Sequence, residues 1–155
     1  MKMNQRLLSI EDLVGQLPNV IRLAVPLYVT LGVRAPKKWY LNLNNYRNTH
    51  FQVLNKTKVE YGKIVKDALS KMDIAHLNRC AIFYELYLPT QRRTDVSNVC
   101  SIVDKYFSDV LVDLEILPDD DYTHLPTVMY NFGGVEKDNP RIDVYILDLE
   151  EINLL

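Results

Sequence analysis

Between Arg79 and Pro89 the chain carries Cys80-Ala81-Ile82-Phe83-Tyr84-Glu85-Leu86-Tyr87-Leu88, a β-branched and aromatic run that reads as its clearest strand. Soon after it comes an amphipathic helix from about Asn98 to Leu114, capped by Asp95 or Ser97. Val99, Ile102, Val103, Tyr106, Phe107, Val110 and Leu111 recur at three- and four-residue steps and form its apolar stripe. Asn98, Ser101, Lys105 and Asp109 share the remaining face. A strand feeding a helix of this length, in a chain of 155 residues, bounds the answer to about one α+β domain.

The flanking segments fill in that domain. Ser9 resembles the N-cap of a short helix running to about Leu17. Val20 to Val33 reads as one or two strands, limited by Pro26. Pro36-Lys37-Lys38 is expected as a turn, Trp39 to Leu43 as a strand end, and Asn44 to His50 as a polar loop. A second long helix is expected from Asn55, with Tyr61, Ile64, Val65, Ala68, Leu69 and Met72 on its apolar face. Pro118 closes the region after the 98–114 helix. Thr127 to Phe132 and Ile142 to Leu147 read as two strands of a hairpin around Gly133-Gly134.

Composition narrows the class. No apolar run approaches the roughly 18 residues of a membrane span. The N-terminus shows no signal pattern, so a soluble cytoplasmic protein is expected. Cys80 and Cys100 lie in apolar surroundings and read as buried free thiols. The net charge of −2 conceals an asymmetry. Residues 34–93 hold twelve Lys/Arg against four acids, and residues 94–155 hold three against fourteen. The basic half is suited to a polyanion.

The chemistry-bearing stretch is Arg92-Arg93-Thr94-Asp95-Val96-Ser97-Asn98, followed past the helix by Asp119-Asp120-Asp121. If the helix doubles back, the two acidic sites are expected to meet, with carboxylate oxygens within roughly 4–6 Å, the spacing of a shared hydrated metal. Carboxylates holding divalent cations beside arginines are what phosphodiester hydrolysis requires. Lys105 is placed to stabilise the phosphate in the transition state, if its face points at the site.

This pattern resembles the RusA family of Holliday junction resolvases, found in bacteriophages and prophages. The family pattern is a basic run, Asp-x-Asp-Asn opening a helix, a lysine in that helix and Asp-Asp just after it. An upstream Asn42-Leu43-Asn44-Asn45-Tyr46-Arg47 followed by Lys58-Val59-Glu60-Tyr61, and a downstream hairpin, extend the likeness over about residues 37–148. The resemblance implies an α+β fold with a mixed or antiparallel β-sheet packed by two main helices. Residues 36–155 would form the nuclease domain, and residues 1–35 an N-terminal extension or a divergent first strand. It implies a homodimer and a magnesium-dependent endodeoxyribonuclease, manganese substituting, that resolves four-way junctions and other branched DNA by paired nicks. Asp95 matches the first catalytic aspartate, Asn98 the motif asparagine, and Asp120 the distal metal ligand, with Asp119 one register away.

Two positions depart from the pattern: Ser97 stands for the second aspartate and Ser101 for the lysine. Lys105 is the nearest lysine; either Asp109, Asp121 or Asp104 supplies the missing ligand, Asp109 ranking ahead of Asp104 by angular position, or the site binds one metal, or activity is lost. These departures also define the alternatives: a catalytically impaired DNA-binding or regulatory protein, or a nuclease for flaps, single strands or RNA. Candidate DNA contacts are Arg92, Arg93, Asn98, Arg47, Lys37, Lys38, Lys56 and Lys58. Tyr40 and Tyr46 are candidate stacking partners for an unpaired base, and Trp39 is expected in the core.

Overall fold

The computed structural model describes residues 8–152. In chain order the elements are α1 (Ile10–Val14), β1 (Ile21–Val25), β2 (Tyr28–Leu31), β3 (Lys37–Tyr40), α2 (Leu43–Asn48), α3 (Phe51–Ser70), β4 (Cys80–Leu88), α4 (Val96–Asp113), β5 (Thr127–Val135), β6 (Arg141–Asp148) and α5 (Leu149–Ile152). The fold is α+β: a four-stranded mixed sheet of order β1-β6-β4-β5, with a separate β2–β3 ribbon. No described helix is long and apolar enough to cross a membrane.

β4 is the centre of the sheet because both its faces are apolar enough to be covered. Ile82, Tyr84 and Leu86 point into the main core with α3 and α4, while Ala81 and Phe83 join a smaller cluster under α1 and α5. β4 pairs antiparallel with β6 and parallel with β5. The parallel pair needs a long crossover, and α4 supplies it. Phe107, Leu111 and Val103 of α4 are fully buried against Ile82 and Leu86. Each such side chain contributes about 1.5–3 kcal/mol through burial. The free thiols of Cys80 and Cys100 are buried, and burial pushes both up to about 12, which makes them inert packing groups.

Four local expectations need correction. The hairpin of residues 127–147 does not form, because β4 lies between β5 and β6 in the sheet. Gly133 and Gly134 lie within β5 rather than in a turn. A Cβ on Gly133 would stand 2.6 Å from the Tyr87 ring and 2.7 Å from Glu85 Cγ, beside a register shift between Leu86 and Tyr87, so the glycine permits close strand approach. Lys37 and Lys38 begin strand β3 instead of a turn. The polar stretch after Asn42 is the helix α2, because Asn42 accepts a hydrogen bond from Asn45 N at its start. Finally, α3 begins at Phe51, four residues before the apolar periodicity reveals it, with His50 as cap.

Of the two alternatives for residues 1–35, the described part includes an integral strand. β1 is an edge of the main sheet, in register with β6 from Ile21↔Ile146 to Val25↔Ile142. α1 lies on the outer sheet face, where the buried Glu85 carboxylate accepts from Ile10 N.

Candidate nucleic-acid interface

The loop after β4 carries the basic pair and is held by its own threonines. Arg92 N donates to Thr90 Oγ1 (3.4 Å), and Thr94 Oγ1 donates to the Arg92 carbonyl (3.2 Å). Arg92 and Arg93 project from this loop as exposed side chains. Two clefts flank it. One, of about 490 Å³, lies between the loop and the β2–β3 ribbon and includes Tyr28, Lys38, Tyr40, Asn42, Thr90 and Arg92 in its lining. The other, of about 400 Å³, has Arg92, Arg93, Phe132 and Val135. Neither lining includes an aspartate or glutamate.

The ribbon brings cations and aromatic rings to the same place. Antiparallel register sets Tyr28 opposite Tyr40 and Thr30 opposite Lys38. The two tyrosine rings lie 5.5 Å apart at 51°, and Lys38 Nζ stands 4.5 Å from the Tyr28 ring centroid. Lys37 is exposed on the same strand. Trp39 points the other way, stacking on Tyr106 at 6.4 Å and donating from Nε1 to Thr49 Oγ1 (3.1 Å). Tyr28, Thr90 and Thr94 escape a reading of the sequence. Their only signal is the cross-strand register and the loop geometry, which a single sequence does not display.

The remaining candidate contacts divide. Arg47, in the last turn of α2, and Lys56 on α3 are exposed. Lys58 is engaged: its Nζ lies 2.6 Å from Asp109 Oδ2, and that partner raises its pKa. Asn98 does not face solvent as a free recognition group. Its Oδ1 accepts from Leu43 N (3.2 Å), which ties α2 to the first turn of α4. Lys105 lies exposed by a recess with Tyr46, Phe51 and Lys58, on the α2–α3 side of α4.

The expected meeting of the two acidic sites does not occur. Asp95 is the N-cap of α4, its Oδ1 accepting from Ser97 N (3.1 Å) and from Ser97 Oγ (2.9 Å). The Leu117 amide donates to the Leu111 carbonyl, which fixes the chain after α4 at the helix's far end. From Asp95 to Leu111 the helix rises about 24 Å. Three extended residues beyond Leu117 reach back at most ~10 Å. Asp119 and Asp120 therefore remain too far from Asp95 to share a hydrated ion, even with side chains extended. Asp121 is held by the His124 and Leu125 amides on its carbonyl, and the His124 carbonyl in turn accepts from Cys80 N at the start of β4. Asp95 follows that strand's other end.

The acidic residues beyond α4 have local roles as well. Asp119 accepts from Asp120 N (2.8 Å) and Asp121 from Thr123 N (2.9 Å), which are turn-forming contacts. Asp120 has a raised pKa, through partial burial first and then the charge of Asp109 and its contacts with Asp119. Asp104 also titrates high: burial dominates, two tyrosine hydroxyls (Tyr84 at 2.8 Å, Tyr130 at 2.9 Å) oppose it, and Asp120 adds to it. Asp104 thus belongs to the interior between α4 and the sheet, and Asp109 to the α3–α4 seam. The resolvase-like magnesium set, Asp95 with Asp119, Asp120 or Asp121, does not fit this geometry. Among the described residues no three His, Cys, Asp or Glu side chains gather as a metal site.

Compared with known proteins, the chain matches no protein-family model and no curated protein.

Proposed function

We propose that the protein binds branched DNA through the basic face around the Pro89–Thr94 loop, and that it does so as a binding module rather than by cutting. The observation that carries this reading is the pair of acid-free clefts on either side of Arg92, rimmed by Lys38, Arg92 and Arg93 and walled by Tyr28 and Tyr40. Cations at a cleft rim neutralise phosphates without reading sequence, while exposed rings favour bases that are not paired. The resemblance to junction resolvases supplies the substrate class and a homodimer, in which two such faces engage two arms of a junction. A cytoplasmic site of action follows from the same reading.

The serines at positions 97 and 101, and the separation of Asp95 from Asp119 and Asp120, support binding over hydrolysis. Magnesium-dependent cleavage is the second reading. It is favoured by the raised carboxyls of Asp120 and Asp104, each pushed up by burial first and by a neighbouring like charge after it, which a divalent cation would relieve.

Both readings meet in one experiment. A labelled four-way junction and a linear duplex of the same sequence are titrated with protein, with and without magnesium or manganese. Tighter binding of the junction, with intact strands at every metal concentration, is the expected result. Equal affinity for both DNAs removes the branched-DNA reading. Metal-dependent nicks that disappear in Asp120→Asn transfer the function to the second reading, and nicks lost in Asp95→Asn restore the resolvase-like site.

A further inference from the structure

We propose that the cleft between the β2–β3 ribbon and the Pro89–Thr94 loop holds a single unpaired nucleotide, with its base on the Tyr40 ring and its phosphate between Lys38 and Arg92. This rests on the DNA-binding reading and adds what the face selects. The cleft's volume of about 490 Å³ falls within the range of small-ligand sites. Its floor is apolar: Leu41 is 1% exposed and Val99 8%. Tyr40 retains 48% of its surface, enough for a base to lie against the ring. Tyr28 braces Tyr40 from the opposite strand and keeps Lys38 at the rim, its ammonium over the Tyr28 ring. A planar heteroaromatic group with an attached anion matches an apolar floor, an open ring and two rim cations. A carboxylate in the lining would oppose such a ligand, and none is present.

The cleft is built before any ligand arrives. The Leu41 amide donates to the Leu27 carbonyl (2.9 Å), closing the ribbon beneath it. Asn42 caps α2 at one end, and the threonine contacts fix the Arg92 backbone at the other. A backbone held this way loses little freedom on binding. Paired bases in a duplex keep their faces stacked and cannot enter. The cleft therefore discriminates for branch points, bulges and frayed ends.

The test uses a short duplex carrying one unpaired 2-aminopurine and the same duplex fully paired. The wild-type protein is expected to bind the bulged DNA about ten-fold more tightly and to quench the 2-aminopurine, given the usual strength of base–aromatic stacking. Tyr40→Leu keeps an apolar side chain and removes the aromatic face; it is expected to abolish the preference and the quenching. Arg92→Ala is expected to weaken both. Equal affinity for the two DNAs, or an undiminished preference in Tyr40→Leu, overturns the nucleotide site while leaving the DNA-binding reading intact. Failure of the wild type to bind either DNA overturns both readings, as does binding confined to RNA.

Discussion

Lys58 Nζ on α3 and Asp109 Oδ2 on α4 lie 2.6 Å apart, and this ion pair changes the role of both residues. Lys58 is no free phosphate ligand, and Asp109 is no free metal ligand. Lys58→Met is therefore expected to leave junction affinity within about two-fold, whereas Arg92→Ala lowers it and reduces the salt slope by about one unit. Mobility shifts over a salt series measure both. The pair is roughly half-exposed, so screening limits its contribution to stability to about 0–1 kcal/mol. Its sign follows from the raised lysine: the contribution is full below the unfolded pKa and is lost as pH rises through the folded one. Thermal melts of wild type and Lys58→Met are expected to converge at strongly alkaline pH.

Asp95 separates a structural role from a catalytic one. As the N-cap of α4 it satisfies Ser97 N and places negative charge at the positive end of the helix. Asp95→Ala is expected to cost about 0.5–2 kcal/mol of stability, because the cap is lost. Asp95→Asn keeps a capping oxygen and is expected to fold within a few tenths of a kcal/mol of wild type. Denaturant titrations of the two variants decide this. An equal loss in both would mean that the carboxylate charge, and not the cap, holds the helix end.

Asn98→Ala is expected to loosen α2 while leaving the sheet unaffected. Its Oδ1 is the partner of Leu43 N, and removing it strands an amide at the start of that helix. A loss of about 1 kcal/mol is expected, with faster amide exchange confined to residues 43–48. A matching drop in DNA affinity with no change in exchange would instead make Asn98 a direct contact.

These contacts show which parts of the molecule the sequence makes legible. Elements with a long apolar period were readable: β4, α3 and α4 emerge from Cys80–Leu88, the Tyr61–Met72 stripe and the Val99–Leu111 stripe. Local capping was readable in part: Ser9 is the cap that residue type and position predict, and of the two candidates Asp95 and Ser97 the structure uses Asp95. Pairing was not. The strands at Thr127 and Arg141 look like neighbours because a glycine pair separates them, yet β4 intervenes. The glycines answer instead to Tyr87 and Glu85 on β4, a constraint invisible along the chain. The same limit governs the site. Arg92, Lys38 and Tyr40 could be named as candidates from composition, but their convergence depends on the register Tyr28↔Tyr40 and the path of the loop. For Asp95 and Asp120 the acidic pattern suggested convergence, and the 18-residue length of α4 prevents it.

Asp104 offers the cleanest pH test, because its titration is governed by burial rather than by a cation. Its carboxylate lies between α4 and the sheet, accepting from Tyr84 and Tyr130, and burial with the nearby Asp120 charge raises its pKa above the ordinary aspartate value. In the interval between the unfolded and folded pKa values the native state binds the extra proton, so stability falls as pH rises through that interval. Above it, the folded protein carries a buried charge whose cost persists to neutral pH. Asp104→Asn removes that charge but keeps a carbonyl for one tyrosine, while its amide can donate to the other hydroxyl. The variant is expected to match or exceed wild-type stability at pH 7, and its advantage is expected to shrink as pH falls through the folded pKa towards the lower, unfolded one, below which the wild-type carboxyl is protonated in both states. Asp104→Leu lacks those hydrogen bonds and is expected to lose about 1–3 kcal/mol by leaving two tyrosine hydroxyls without their acceptor. Urea titrations of the three proteins across pH 4–7 measure the difference directly. A substantial loss at pH 7 in Asp104→Asn, growing with pH, would mean that the ionised carboxylate is favoured in the fold, and would make it a group retained for its charge.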